Sequence, residues 1–229
     1  MRRNQRALGA VPKALWALLA ASLAVQIAWQ ARQLSHTTAA SEPPPAPSVQ
    51  ALRLASFAEP EAAARLLAVY VQSFDLGASD SLIAWLRSIL ALDPRGQYPL
   101  FLAARVYGEN TDPVRARLAL DFVYQQFFID PDRRWPWLAH AALTAKHRLA
   151  DLPLARRYAS AVQRYAKGPE VPLWAKQMEV FILEDMNELD AARIMLGGML
   201  ESGMVHDPAE LRFLQQRLRE LEARAGGAK

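Results

Sequence analysis

The chain has 229 residues, of which 52% are hydrophobic and 22% charged, enough for a folded domain with its own core. It contains no cysteine, which excludes disulfides, thiolate metal sites and cysteine nucleophiles. Residues 1–32 hold five basic and no acidic residues, whereas the rest of the chain holds 22 basic and 23 acidic residues. The net charge of +4 therefore belongs to the N-terminus. A nearly neutral body disfavours binding to nucleic acid.

Residues 14–31 form an uncharged, mainly apolar run, ALWALLAASLAVQIAWQA. As a helix, this run would be about 27 Å long, which is close to the thickness of the apolar core of a bilayer. Trp16 and Trp29 lie near its two ends, where indole rings favour the membrane interface, and are the predicted anchor residues. Because four basic residues precede the run and one follows it, the positive-inside rule predicts a cytoplasmic segment over 1–13 and a periplasmic body.

A cleaved signal peptide is the alternative interpretation of this run. Gln30 and Arg32 stand where a cleavage site needs small residues, although Thr38–Ala40 offers such a site further along. We therefore expect a retained, single-pass anchor in a bacterial inner membrane. Residues 32–58 are rich in Pro, Ala and Ser and are expected to form a flexible linker.

From Pro60 onward, apolar residues recur at the three- and four-residue spacing of helices, and no segment alternates as a strand does. Ser79 and Asp80 are expected to cap one of these helices. Further helices are predicted to begin near Tyr98, Asp112, Trp135, Leu152, Pro172, Glu188 and Asp207. Together these nine helices predict an all-α domain over 59–206, followed by a terminal helix and tail over 207–229.

The predicted helices recur in pairs. Each of three first helices has a proline near its start, at Pro99, Pro136 and Pro172, which are 37 and 36 residues apart. The second helices carry an Ala-Arg step, which begins at Ala116, Ala155 and Ala192. Two helices within a period near 37 predict an α-solenoid of helical hairpins.

The pentapeptide RRWPW, Arg133 to Trp137, has the composition of a binding motif. Its proline holds the same place in the repeat as Pro99 and Pro172, which favours a helix start with aromatic residues packed between successive hairpins. Arg133 and Arg134 are nevertheless candidate partner contacts, because only this copy has adjacent arginines.

The body resembles the tetratricopeptide-repeat superfamily over residues 60–205. The resemblance rests on two-helix units, LDP and IDP junctions, small residues between helices and an aromatic residue in first helices: Leu92–Pro94, Ile129–Pro131, Ala104, Ala141, Tyr107 and Phe181. It implies a concave face, built by the first helices, that binds an extended or helical peptide. On this face it places five candidate partner-binding residues: Arg105, His140, Lys146, Lys176 and Glu179.

The last predicted helix carries a stripe of leucines: Leu211, Leu214, Leu218 and Leu221. A solenoid needs a terminal helix with one polar face to close its exposed end, and this stripe fits that role. The alternative is that the stripe binds a partner or a second copy of the chain.

The sequence contains no arrangement typical of catalysis or metal binding. His140 and His147 lie about 10 Å apart along one helix, and the acidic stretch Glu184–Asp190 lacks the central glycine of a calcium loop. We therefore expect neither an enzyme nor a cofactor, and an envelope hydrolase is the least favoured alternative. The expected function is a membrane-anchored protein–protein interaction module, either a scaffold or a client-binding accessory of an envelope complex. A self-associating structural protein is the other alternative.

Overall fold

The computed structural model describes residues 12–34, 43–74, 78–203 and 205–226. The chain divides into two units, 1–41 and 42–229. In the first unit, α1 (Lys13–Leu34) is one uninterrupted helix, and residues 16–29 are all exposed. Within the described ranges, no helix meets the length and hydropathy needed to cross a membrane. The basic residues Arg2, Arg3 and Arg6, together with 35–42 of the predicted linker, lie outside the described residues.

The second unit is built from helices, and its described residues contain no strand, which confirms the all-α prediction. The helices are α2 (Val49–Ala55), α3 (Pro60–Val71), α4 (Asp80–Leu92), α5 (Tyr98–Phe101), α6 (Pro113–Phe127), α7 (Pro131–His147), α8 (Leu152–Tyr165), α9 (Leu173–Asp185), α10 (Leu189–Glu201) and α11 (Pro208–Gly226). A π-helical segment, Leu102–Tyr107, continues α5 without a break. Helices adjacent in the chain pack together, and α7 also contacts α5 and α9.

Side-chain caps determine where several of these helices begin. Ser79 Oγ accepts a hydrogen bond from the backbone N–H of Leu82 (3.2 Å) at the start of α4. Asp112 and Asp151 cap α6 and α8 in the same way. Such caps satisfy N–H groups that have no partner within the helix.

The helix that contains RRWPW begins earlier than predicted. α7 starts at Pro131, directly after Asp130, so Pro136 lies inside the helix rather than at its start. An interior proline removes one intrahelical hydrogen bond, here the bond to the carbonyl of Asp132. Because that carbonyl lies in the first turn, the rest of the ladder is unaffected. The pentapeptide thus begins at the third residue of α7 and runs from the first turn into the second.

Part of the predicted linker packs on the domain. Pro43 is buried, and the indole Nε1–H of Trp85 donates to the carbonyl of Pro44 (2.8 Å). Ser48 then caps α2, and the Arg53 guanidinium donates to the carbonyl of Ala91 at the end of α4 (3.2 Å). Residues 43–55 are therefore part of the folded unit, which shortens the linker expected over 32–58.

Small residues allow the helices of the main core to approach closely. Ala104, Ala141 and Ala155 are completely buried between helices, and Phe122 and Tyr158 fill the wider gaps. This core runs from α3 to α9. Close packing of this kind makes the relative position of the first helices well defined, which matters for the side chains they carry.

A second core lies under α11. Leu214 and Leu221 are buried against α9 and α10, and Leu211 and Leu218 are partly buried beside them. The carboxylate of Glu184, on α9, also binds two arginines of α11, Arg217 and Arg224. The leucine stripe therefore caps the neighbouring helices, and it is not exposed for self-association in this structure.

Candidate functional site

Two of the predicted partner-binding residues meet in one charged cluster. Arg105 Nη1 lies 3.3 Å from Nδ1 of His140, and Nε2 of His140 lies 3.1 Å from Oε1 of Glu109. The carboxylate of Glu109 is also within 3.6 Å of Arg148 and 3.7 Å of Arg105. We call these four side chains the Glu109 cluster. It connects the helix that begins at Tyr98 with α7.

The geometry of the Glu109 cluster fixes the tautomer of His140. Arginine only donates hydrogen bonds, so Nδ1 must be the acceptor and Nε2 carries the proton that is donated to Glu109. A second proton on the ring would point at the Arg105 guanidinium. Burial and the charge of Arg105 together hold the pKa of His140 below its usual value, and Glu109 opposes this shift.

This lowered pKa predicts a pH-dependent stability. Near pH 6.5 the unfolded chain gains a proton on His140 before the folded chain does, so the free energy of unfolding should fall as pH drops below that value. His140→Gln should remove this part of the slope. Denaturant unfolding between about pH 5 and 7.5 measures it. An exposed histidine supplies the control, His206→Gln, and an unchanged slope in His140→Gln would contradict the assignment.

Two further predicted residues, Lys146 and Lys176, lie on helices α7 and α9. Lys146 forms an ion pair with Asp185 at the end of α9. Lys176 is half-buried on the same helix as Asp185. The predicted face thus carries charge on both helices, and part of this charge is used to join them.

The adjacent arginines of RRWPW have different environments. Arg133 is exposed and pairs with Asp130 (3.2 Å). Arg134 is 2% exposed, and its guanidinium donates to the carbonyls of Gln126 (2.7 Å) and Pro94 (2.9 Å). Arg134 therefore corrects the prediction of a partner contact, because it joins α7 to the end of α6 and to the loop after α4.

Glu179 also departs from the prediction of an exposed contact. It is 2% exposed, and its Oε1 lies 3.5 Å from Nε of Arg156, on α8. Its other oxygen, Oε2, is buried without a hydrogen-bond partner. Glu179 therefore faces α8, and it cannot contact a partner on the surface that carries the Glu109 cluster without rearrangement.

Aromatic side chains of successive first helices form edge contacts. Phe101 meets Trp137 on α7 (ring centres 5.9 Å apart), and Trp135, also on α7, meets Trp174 on α9 (5.5 Å). Tyr98 stacks on Phe101 at 5.7 Å. We call these five residues the aromatic row. The row consists of two groups, because among the described residues no ring contact joins Trp135 to Trp137, two residues further along α7. Tyr98, in the first group, is 43% exposed, and Trp174, in the second, is 51% exposed.

Sequence reasoning missed Glu109, the carboxylate that holds the cluster together. Its position four residues after Arg105 was a usable signal, because residues at this spacing face each other on a helix. Among the described residues, no group of three or more His, Asp or Glu side chains is placed to hold a metal ion.

No protein-family model matches the chain, and no similar curated protein or solved structure was found.

Proposed function

We propose that this chain is a membrane-anchored protein–protein interaction module. In this proposal, α1 anchors the protein in the inner membrane with its N-terminus in the cytoplasm. The helical domain, a tetratricopeptide-like solenoid, is presented in the periplasm as a scaffold or a client-binding accessory. The observation that carries the proposal is the partial exposure of Tyr98 and Trp174 in the aromatic row, together with the Glu109 cluster.

The aromatic row has the composition of a binding hot spot. Tryptophan and tyrosine supply large, rigid contact areas, and truncating such residues at interfaces weakens binding more than truncating most others. Here Tyr98 and Trp174 remain about half exposed, so both rings are accessible to a partner. The nearby charges of Arg105 and Arg148 would favour a partner segment that carries acidic side chains.

The membrane part of the proposal rests on α1. Residues 14–31 lack charge, and the side chains over 16–29 are exposed, so α1 presents an apolar helical surface. A bilayer would cover it. The excess of basic residues before the helix supports the proposed orientation.

Site-specific photocrosslinking in intact cells tests the binding surface. A photoreactive residue in place of Tyr98 or Trp174 should give adducts with a discrete second protein. More exposed positions on α6 and α10, Val114 (75%) and Ile194 (68%), serve as controls and should give none. Equal labelling at all four positions, or none at the first pair, would refute the proposed face. Adducts with a second copy of the chain would instead support self-association.

The anchor is tested in the same strain with a C-terminal tag. The tag should be digested when spheroplasts are treated with protease, and the chain should stay with membranes after an alkaline wash. A protected tag would reverse the orientation. Recovery of a shortened, soluble chain would mean that the first segment is a cleaved signal peptide.

A further inference from the structure

A pocket lies along α8. It is lined by five side chains of α8, one of α9 and the residue that follows α9: Pro153, Arg156, Arg157, Ser160, Arg164, Glu179 and Met186. Its volume is about 300 Å³, which is at the lower end of small-molecule sites. Three guanidinium groups and a single carboxylate line it. The pocket, which we call the α8 pocket, therefore carries a net positive charge.

The arginines of the α8 pocket have unused hydrogen-bonding capacity. Arg164 makes no hydrogen bond or ion pair with a described residue and is exposed. Arg156 lies 3.5 Å from Glu179 and 3.8 Å from Glu188, distances longer than a charge-assisted hydrogen bond. Arg157 is held in place, with its guanidinium 4.3 Å from the centre of the Tyr124 ring. Oxyanions such as carboxylate or phosphate are the groups that such arginines bind.

Glu179, the carboxylate that lines the pocket, lacks a hydrogen-bond donor at one oxygen. Glu179 is almost fully buried, and its Oε2 has no hydrogen-bond donor among the described residues. A buried carboxylate oxygen without a donor is costly, because it has lost its water and gained nothing in return. An oxyanion that drew Arg156 outward would also open access to Glu179. A positively charged donor would then satisfy this carboxylate.

We propose that the α8 pocket binds a small zwitterion, in which an oxyanion and an ammonium group are joined by a short chain. The oxyanion would bind Arg156, Arg157 and Arg164, and the ammonium would bind Glu179. The class includes free amino acids and phosphorylated amino alcohols. This site is separate from the aromatic row and does not depend on the protein-binding proposal.

Calorimetric titration of the purified full chain tests the proposal with three probes: inorganic phosphate, O-phosphoethanolamine and β-alanine. A zwitterion should bind about tenfold more tightly than inorganic phosphate, because its ammonium gains a charged hydrogen bond to Glu179. Preference for O-phosphoethanolamine over β-alanine would identify the oxyanion as a phosphate, and the reverse preference as a carboxylate. Failure of both zwitterions to bind at millimolar concentration would overturn the proposal.

Two variants and a matched control locate the binding. Arg164→Gln should weaken the binding of the zwitterion about tenfold, whereas Arg219→Gln, at an exposed arginine of α11, should leave it unchanged. Glu179→Gln keeps the size of the side chain and should abolish the advantage of the zwitterion over phosphate. Equal weakening by Arg164→Gln and Arg219→Gln would show a non-specific charge effect and overturn the site.

Discussion

Arg134→Ala should lower the free energy of unfolding by about 3–5 kcal/mol. The substitution removes a completely buried side chain and leaves a cavity in its place. It also leaves the carbonyls of Gln126 and Pro94 without the donor that now satisfies them. Both effects act in the same direction, because the cavity loses packing and the carbonyls lose hydrogen bonds. Denaturant unfolding followed by tryptophan fluorescence measures the change.

The neighbouring arginine is the control for this experiment. Arg133 is exposed and forms only a surface ion pair with Asp130, so Arg133→Ala should change the free energy of unfolding by less than about 0.5 kcal/mol. Similar effects of the two substitutions would contradict the different environments of the two side chains. The expected contrast also explains the composition of RRWPW: one arginine supports the fold and only the other remains available to a partner.

Arg217→Leu should destabilise the attachment of α11 by about 2–3 kcal/mol. Its guanidinium binds both oxygens of Glu184, with Nε 3.0 Å from Oε1, and the Glu184 side chain is only 5% exposed. Removing one partner leaves a buried carboxylate. The loss stays below that of a fully buried pair because Arg217 is itself one-third exposed and Arg224 still lies 3.4 Å from the same carboxylate.

Arg219→Leu is the matched control on the same helix. Arg219 is exposed and forms no ion pair with a described residue, and leucine and arginine have similar helix propensities. This variant should differ from the parent by less than about 0.5 kcal/mol. Hydrogen exchange of the α11 amides gives a local readout, in which Arg217→Leu should accelerate exchange and Arg219→Leu should not. Equal exchange rates in both variants would refute the role of the Arg217–Glu184 ion pair in holding α11.

Local sequence signals predicted the helices well because those signals act locally. Capping by Ser79, Asp112 and Asp151 requires only neighbouring residues, and each helix begins where its cap predicts. A proline at the first helical position would have placed the start of α7 correctly, although Asp130 makes no side-chain cap hydrogen bond. Asp130 is followed by Pro131, just as Asp112 is followed by a proline, and this pair is a stronger start signal than Pro136.

Contacts between distant residues could not be predicted in the same way. Seven residues are too few to form a stable helix alone, so α2 depends on its packing against α4. The burial of Arg134 depends on Pro94, 40 residues away. Glu179 lies on a helix as predicted, but the direction it faces depends on the position of α8. Arg134 and Glu179 are charged, and their residue types alone predict an exposed position.

The π-helical segment affects how the proposed repeats would be aligned with each other. At the end of this segment, the backbone N–H of Gly108 donates to the carbonyl of Ala103 (2.8 Å), which lies five residues earlier. In an α-helix the acceptor lies four residues earlier. Each π-helical turn holds one residue more than an α-helical turn, so side chains after it are rotated relative to those before it. If this helix is aligned with α7 or α9 by a constant difference in residue number, equivalent side chains match only on one side of Leu102–Tyr107. A one-residue gap in this segment would bring both halves of the unit into register, and searches for relatives of this chain should allow it.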